Sequence, residues 1–362
     1  MSNTMSPRAI KLAFLLIGLI IIAAPVARLH AELRKFEMTI EEVELEVAPG
    51  FKTKVWAFNG QVPGPLIHVK EGDHVEVTVH NLTTLNHTIH WHGVYQTNSW
   101  RSDGVPKITQ QAIEPGDSYV YKFVADKPGS LWYHCHVNVA EHVGLRGMWG
   151  PLIVDPKNPA PIEKEVTKEA ILMFSAWNSD VAMKYGKGGG PRELPNYFSI
   201  NGKSFPTNQP LRVKKGDVVR LRLYSVSAET AYHLHGHDVL VTHKDGLPLQ
   251  SPYFADVVDV TEGARIDAIV RMNNPGRWIN HDHIEHHTTN NGKMPGGAVM
   301  IVEYDGVERD DDWYVWKDKD ATYDPDFYMS ESMKKGYGIH NHAQFRGEKI
   351  EKQKKKKKKK GD

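Results

Sequence analysis

Two segments of the chain share one pattern. The first reads Phe58-Asn-Gly-Gln-Val-Pro-Gly-Pro-Leu-Ile-His-Val-Lys-Glu-Gly-Asp73 and continues to His90-Trp-His-Gly93. The second reads Ile200-Asn-Gly-Lys-Ser-Phe-Pro206, then Leu211-Arg-Val-Lys-Lys-Gly-Asp217, and continues to His233-Leu-His-Gly236. Further along, Pro-Gly precedes His134-Cys-His136 by the same interval at which another Pro-Gly precedes His281-Asp-His283. Such self-similarity along a chain indicates that one domain has been duplicated.

Both copies have the pattern of β-structure. Val75, Val77 and Val79 alternate with polar residues, and so do the apolar residues of 219–223. A period of two is typical of half-buried strands, and Gly-Asp and Pro-Gly pairs supply the turns between them. We therefore predict an all-β protein of two tandem β-sandwich domains. The predicted segments are 1–31, 32–157, 158–305 and 306–362: a signal peptide, the two domains and a C-terminal extension.

The charge of the chain is unevenly distributed. The formal net charge is +1, yet residues 1–31 and the tail 346–362, which includes seven consecutive lysines at 354–360, are both basic. The body between them is therefore acidic, which argues against nucleic acid as a partner. A run of charges is usually a solvated segment, although the lysines could also dock on an acidic partner or anionic surface.

The N-terminus has the pattern of an export signal. Arg8 and Lys11 precede the apolar run 12–26, and Ala31 closes a plausible cleavage site. We expect a periplasmic or secreted protein, with an uncleaved N-terminal membrane anchor as the alternative. Cys135 is the one cysteine of the chain. A free thiol is a liability in an oxidising compartment, so we expect the sulfur to be occupied.

Eight of the twenty histidines form four His-x-His pairs, at 90/92, 134/136, 233/235 and 281/283. Residues i and i+2 of a strand point to one face, so each pair presents two imidazoles together. Imidazole is a good copper ligand. Four such pairs at matching places in a duplicated domain therefore predict a metal centre rather than solvated strand histidines.

The parity around Cys135 predicts a second kind of site. If both stretches are extended, Cys135 and His87 share the face opposite the paired histidines, and His142 and Met148 follow downstream. Two His, one Cys and one Met are the ligands of a blue-copper electron-transfer site. Through the backbone, Cys135 joins this site to His134 and His136. Eight histidines suit a three-copper cluster that could deliver four electrons to dioxygen.

These motifs resemble those of the multicopper oxidases. The resemblance rests on His-x-x-His-x-His-Gly at 87–93, Trp100-Arg-Ser-Asp-Gly104 with Thr109-Gln110, and His-Cys-His followed by His and Met, and it covers about 35–305. It is nearest to two-domain, laccase-like blue copper oxidases with the type 1 copper in the first domain, as in ammonia-oxidising bacteria. The resemblance implies two cupredoxin-like Greek-key domains.

The resemblance also implies a function and a ligand set. The function is one-electron oxidation of a donor coupled to reduction of dioxygen to water, with about four coppers per chain. The implied blue-copper (type 1) ligands are His87, Cys135, His142 and Met148. The implied type 2 ligands are His90 and His233, and the implied type 3 ligands are His92, His134, His136, His235, His281 and His283. Ala140 occupies the family's commonest position for the second blue-copper histidine, so His142 implies a longer loop.

The second copy departs from the first where a blue site would lie. Asp282 stands in place of the cysteine and Thr230 in place of His87. We interpret His286, His287 and Met294 as relics or surface residues, and His340 and His342 as surface residues outside the duplicated pattern.

Four-electron reduction of dioxygen consumes protons, so acids near the cluster are needed. Asp103 matches the family's Asp-Gly acid and is the leading candidate, although it could simply form a turn before Gly104. Glu141 and Glu285 are further candidates.

The resemblance implies an assembly as well. In the family, the first domain of one subunit meets the second domain of the next, which predicts a homotrimer with trinuclear sites at the subunit interfaces. Two other functions remain open: a copper nitrite reductase, and a non-enzymatic periplasmic copper or electron-transfer protein. The reducing substrate, whether a small molecule or a redox protein, is not determined by the sequence.

Overall fold

The computed structural model describes residues 31–179 and 195–307, and the backbone of 339–340 and 348–349. The predicted signal peptide, the glycine-rich loop at 187–191, His342 and the lysine run lie outside the described residues. Within the described part of the chain, no helix has the length and apolarity that a membrane span requires.

Strands are the main secondary structure of the described residues and every helical segment is short, which confirms the predicted all-β fold. The first half has eight strands, β1 to β8: Leu33–Ala48, Phe51–Phe58, Leu66–Lys70, His74–Asn81, His90–His92, Ser118–Val124, Gly129–His134 and Trp149–Asp155. The second half has eleven, β9 to β19: Lys168–Trp177, Tyr197–Ile200, Leu211–Val213, Val218–Ser225, Thr230–Leu234, Val239–Lys244, Leu247–Ala255, Val257–Val260, Arg265–Arg271, Arg277–Asp282 and Val299–Tyr304. Helical segments are short: Trp100–Ser102, Val139–His142, Pro161–Glu165 and Glu285–Thr288.

Each half is a sandwich of two sheets. In the first half, one sheet has the order β2-β1-β4-β6 and the other has β3-β8-β7-β5. In the second half the orders are β10-β9-β12-β17-β14-β15 and β11-β19-β18-β13-β16. Two short C-terminal strands, Ile339–His340 (β20) and Glu348–Lys349 (β21), pair with β3 and β1. The histidine-bearing strands β5 and β7 are neighbours, as are β13 and β18, so the pairs within each half meet.

The alternation that predicted half-buried strands holds for β4, where Val75, Val77 and Val79 are buried between half-exposed neighbours. It is wrong for β12, in which every residue is buried, including Arg220 and Arg222. The guanidinium of Arg222 donates to Glu169 at 2.8 and 2.9 Å and to the hydroxyl of Ser130 at 2.8 Å. Ser130 belongs to the first half, so this polar face is buried where the two halves pack together.

Candidate metal centres

The structure brings Cys135 together with His87 and His142. The Cys135 Sγ lies 3.1 Å from Nδ1 of His142 and 3.7 Å from Nδ1 of His87, and all three side chains are buried. Met148 is fully buried, and its backbone adjoins two of these residues: its N–H donates to the carbonyl of His142, and its carbonyl accepts from the backbone N–H of Cys135. We call these four residues the cysteine site.

The ring nitrogens of the cysteine site are arranged for a metal. Nε2 of His87 is hydrogen-bonded to the Thr83 hydroxyl at 2.8 Å, which leaves Nδ1 towards the sulfur. Burial lowers the pKa of His87 to about 3 and that of His142 to about 4. Both imidazoles are therefore neutral near pH 7 and can coordinate without losing a proton. Burial raises the pKa of the Cys135 thiol to about 12 in the metal-free protein, so a metal that binds there must displace its proton.

The eight paired histidines form two clusters of four. The first half-site consists of His90, His92, His134 and His136, and the second half-site consists of His233, His235, His281 and His283. Ring centroids within each half-site lie 4.7 to 5.8 Å apart in the contacting pairs. No ring of one half-site contacts a ring of the other, although the structure describes all eight histidines.

In the cysteine site Nδ1 of His87 and of His142 faces the sulfur, whereas in the half-sites hydrogen bonds use Nδ1 and leave the other ring nitrogen available. Nδ1 of His90, His134 and His281 bonds to the carbonyls of Asp103, Cys135 and Asp282 at 2.8 to 2.9 Å. Nδ1 of His233 bonds to the carbonyl of Asp256 at 2.9 Å. Because a carbonyl only accepts, these Nδ1 atoms carry the proton and leave Nε2 for a metal. In the second half-site, Nε2 of His235 and Nε2 of His281 face each other at 3.1 Å.

The three candidate acids lie in different places. The Asp103 carboxylate is 3.3 Å from Nδ1 of His90 and partly exposed. Gly104 must lack a side chain here, because a Cβ would collide with the carbonyl of Ile89 just before His90. Glu141 instead lies beside the cysteine site, held by Arg146. Glu285 is exposed at the start of a short helix, and the structure does not bring it to a half-site ring.

Sequence reasoning missed Asp256. Its carboxylate lies 3.6 Å from Nδ1 of His233, in the same relation as that of Asp103 to His90. Asp103 follows its histidine by 13 residues, whereas Asp256 follows His233 by 23 residues and belongs to no shared motif. No signal in the repeat could have revealed it, because the strand pairing between β13 and β16 brings it to the site.

The second half has no cysteine site. The Asp282 carboxylate accepts from the N–H groups of Ala231 and Ile284 and from Nδ1 of His287 at 2.6 Å. His287 is buried and stacks on Phe198, so it is neither a free ligand nor a surface residue. His286 and Met294 are exposed, as expected for surface residues.

Comparison with known proteins agrees with this geometry. Two models described as multicopper oxidase match residues 39–159 and 175–295. The multicopper oxidase mgLAC is 64% identical, with a TM-score of 0.83, and covers 88% of this chain and 100% of its own. The blue copper oxidase of Nitrosomonas europaea is 54% identical, with the same TM-score and coverage. The chain belongs to the multicopper oxidase family, and its domains are cupredoxin-like.

Longer relatives are more distant. Laccase-1 of Thanatephorus cucumeris is 33% identical over 296 residues, which is 75% of this chain and 50% of that protein. Laccase-9 of Arabidopsis thaliana is 34% identical over 60% of this chain and 38% of that protein. The chain spans half or less of the length of these curated relatives. A copper nitrite reductase from Nitrosomonas europaea, 21% identical with a TM-score of 0.63, shares the fold.

Proposed function

We propose that this protein is a laccase-like multicopper oxidase, which couples one-electron oxidation of a donor to four-electron reduction of dioxygen to water. One tripeptide carries the proposal. Cys135 belongs to the cysteine site, while His134 and His136 on either side of it belong to the first half-site. A continuous covalent path therefore joins the two metal centres, and it is short enough to carry single electrons.

The donor atoms suit copper. The cysteine site offers two imidazoles, a thiol and a thioether, which is the blue-copper set. The half-sites offer eight imidazoles, of which His90 and His233 would hold a type 2 copper and the other six a type 3 pair. We propose about four coppers per chain on this basis. Bound copper would supply the one-electron chemistry, accepting electrons singly at the cysteine site and collecting four for dioxygen at the cluster.

We propose that a second copy of the chain completes each cluster, in a homotrimer with the clusters at its interfaces. The separation of the two half-sites within the chain supports this assembly. So does the surface around the second half-site, where His235 and His283 are exposed and Tyr253 and Phe254 are 54% and 70% exposed. Tyr95 and Trp100 are similarly exposed near the first half-site, at 63% and 55%. Large apolar surfaces of this kind are typical of subunit interfaces.

Copper analysis separates the proposed oxidase from its alternatives. A nitrite reductase needs the blue copper and one further copper held by three histidines, which gives about two per chain instead of about four. A non-enzymatic carrier does not consume dioxygen. The test is copper content together with dioxygen uptake by the purified, copper-loaded protein against a panel of donors. About two coppers with nitrite reduction, or full loading without dioxygen uptake, would overturn the proposal.

We also propose that the protein is exported to the periplasm or secreted. The pattern of residues 1–31 supports this location, and so does a lone thiol that a metal would occupy. Sequencing the N-terminus of the mature protein separates cleavage at Ala31 from retention of the segment as an anchor.

Asp103→Asn is expected to slow the reoxidation of the reduced protein by dioxygen about 100-fold, a typical contribution of a positioned proton donor. The asparagine keeps the backbone carbonyl that orients His90 but cannot deliver a proton. Anaerobic reduction of the cysteine site by a donor should keep its normal rate. Stopped-flow absorbance measures both steps, and Glu285→Gln serves as a control that should change neither. If both steps slow equally, Asp103 is not a proton donor.

A further inference from the structure

The cysteine site is covered by other side chains. His87, Cys135 and Met148 have no exposed surface, and His142 is only 4% exposed. The indole of Trp56, from strand β2, lies edge-on to the His142 ring at a centroid distance of 4.7 Å. It is also within 5.7 Å of the His87 ring. Trp56, which is itself only 7% exposed, therefore covers one side of both imidazoles.

A second layer holds Trp56 in place. The guanidinium of Arg146 lies over the indole, 5.2 Å from its centroid, and the carbonyl of Arg146 accepts from the backbone N–H of Trp56 at 3.0 Å. Arg146 also donates to the carbonyl of Lys54 at 3.1 Å and pairs with Glu141. Glu141 in turn accepts from Asn138 at 3.0 Å. The cover is therefore fixed by several contacts of its own.

Part of the cover comes from the loop that follows Cys135. Residues 136–147 include the short helix Val139–His142, which places Glu141 and His142 on one turn. His142 follows Cys135 by seven positions. Arg146, later in the same loop, lies over the indole of Trp56.

We propose that Trp56 and Arg146 select the electron donor. They admit donors that pass an electron through the indole without touching His142, and they disfavour phenols that need close contact with an imidazole edge. The favoured class is compact one-electron carriers, such as metal complexes or an exposed haem edge. One electron leaves the donor and arrives at the cysteine site, while Trp56 keeps its own electrons and proton. This inference rests on the proposed function, because it concerns the donor of that same reaction.

The first experiment compares Trp56→Ala with Trp56→Phe in the copper-loaded full chain. Anaerobic bleaching of the blue band gives second-order rate constants for ferrocyanide and for 2,6-dimethoxyphenol. Opening the cover should raise the phenol-to-ferrocyanide ratio about tenfold in Trp56→Ala, the size of effect that one pocket contact has on specificity. Trp56→Phe, which keeps an aromatic ring against His142, should retain the ratio of the unmodified protein. Tyr197→Ala is a matched control, because it removes a ring from an aromatic stack with Phe51 instead.

The second experiment uses the metal-free protein and needs no turnover. Iodoacetamide should alkylate Cys135 faster in Trp56→Ala than in the unmodified protein or Tyr197→Ala. An unchanged ratio and an unchanged alkylation rate in a folded Trp56→Ala protein would overturn the inference. If Trp56→Ala does not fold, Arg146→Ala removes only the outer layer and should raise the ratio about threefold; no change there would also overturn it. Absence of dioxygen uptake by the unmodified, copper-loaded protein would instead disprove the proposed function.

Discussion

Cys135→Ser is expected to abolish the blue colour and to lower donor-driven dioxygen uptake about 1,000-fold or more, as removal of a catalytic centre commonly does. The colour requires charge transfer from a thiolate to copper, and a serine hydroxyl does not provide it. Donor electrons would also lose their entry point. The half-site histidines remain, so copper content should fall from about four to about three per chain, the loss of one centre.

Met148→Leu provides the matched control for this change. It removes the weak axial ligand and leaves the thiolate and both imidazoles in place. The variant should stay blue with an altered reduction potential, because the axial ligand tunes the potential of such sites. Absorption spectra, copper analysis and dioxygen uptake are measured for both variants. An intensely blue, active Cys135→Ser protein would contradict the assignment of the cysteine site.

His92→Ala and His235→Ala are each expected to be nearly inactive when expressed alone, yet partly active when expressed together. Each variant disables one half-site. In a mixed ring, an interface is intact when an unmodified first half-site meets an unmodified second half-site. When equal amounts assemble at random, about a quarter of all interfaces are intact, because the contact is head-to-tail. Dioxygen uptake of the co-expressed protein should therefore reach about a quarter of the normal value.

Co-expression of His92→Ala with His136→Ala is the control for this experiment. Both changes lie in the first half-site, so no interface is restored and uptake should stay at the level of the single variants. If the clusters were formed within one chain, His92→Ala with His235→Ala would show no recovery either. Sedimentation of the mixed protein confirms that the subunits have assembled.

The fold and the histidine clusters could be predicted because they depend on local rules. A strand places residues i and i+2 on one face, so His90 with His92 and His233 with His235 had to point together. The duplication then indicated which pairs belong to one domain. The parity argument similarly put Cys135 on the side of His87, and the structure brings the two together. The head-to-tail assembly came only from the resemblance, since a single chain carries no record of its neighbours.

Other features depend on contacts between distant parts of the chain. Arg220 and Arg222 have the pattern of an exposed strand face, but packing of the two halves buries them with carboxylates. Strand pairing brings Asp256 to His233. Trp56 is 86 residues away from His142 along the sequence, and nothing in its local pattern indicates that the two rings touch. Such contacts follow from tertiary packing, which spacing alone does not reveal.

Asp282 has a consequence for the protein before any metal arrives. At this position the first domain has a thiol between two imidazoles, and a thiol forms weaker hydrogen bonds than a carboxylate. The second domain has a carboxylate that accepts three hydrogen bonds, from Ala231, Ile284 and His287. Hydrogen bonds within the polypeptide therefore hold the loop that carries His281 and His283, without a metal. Chelation should therefore loosen the two domains unequally, and the second should keep its shape while the first relaxes.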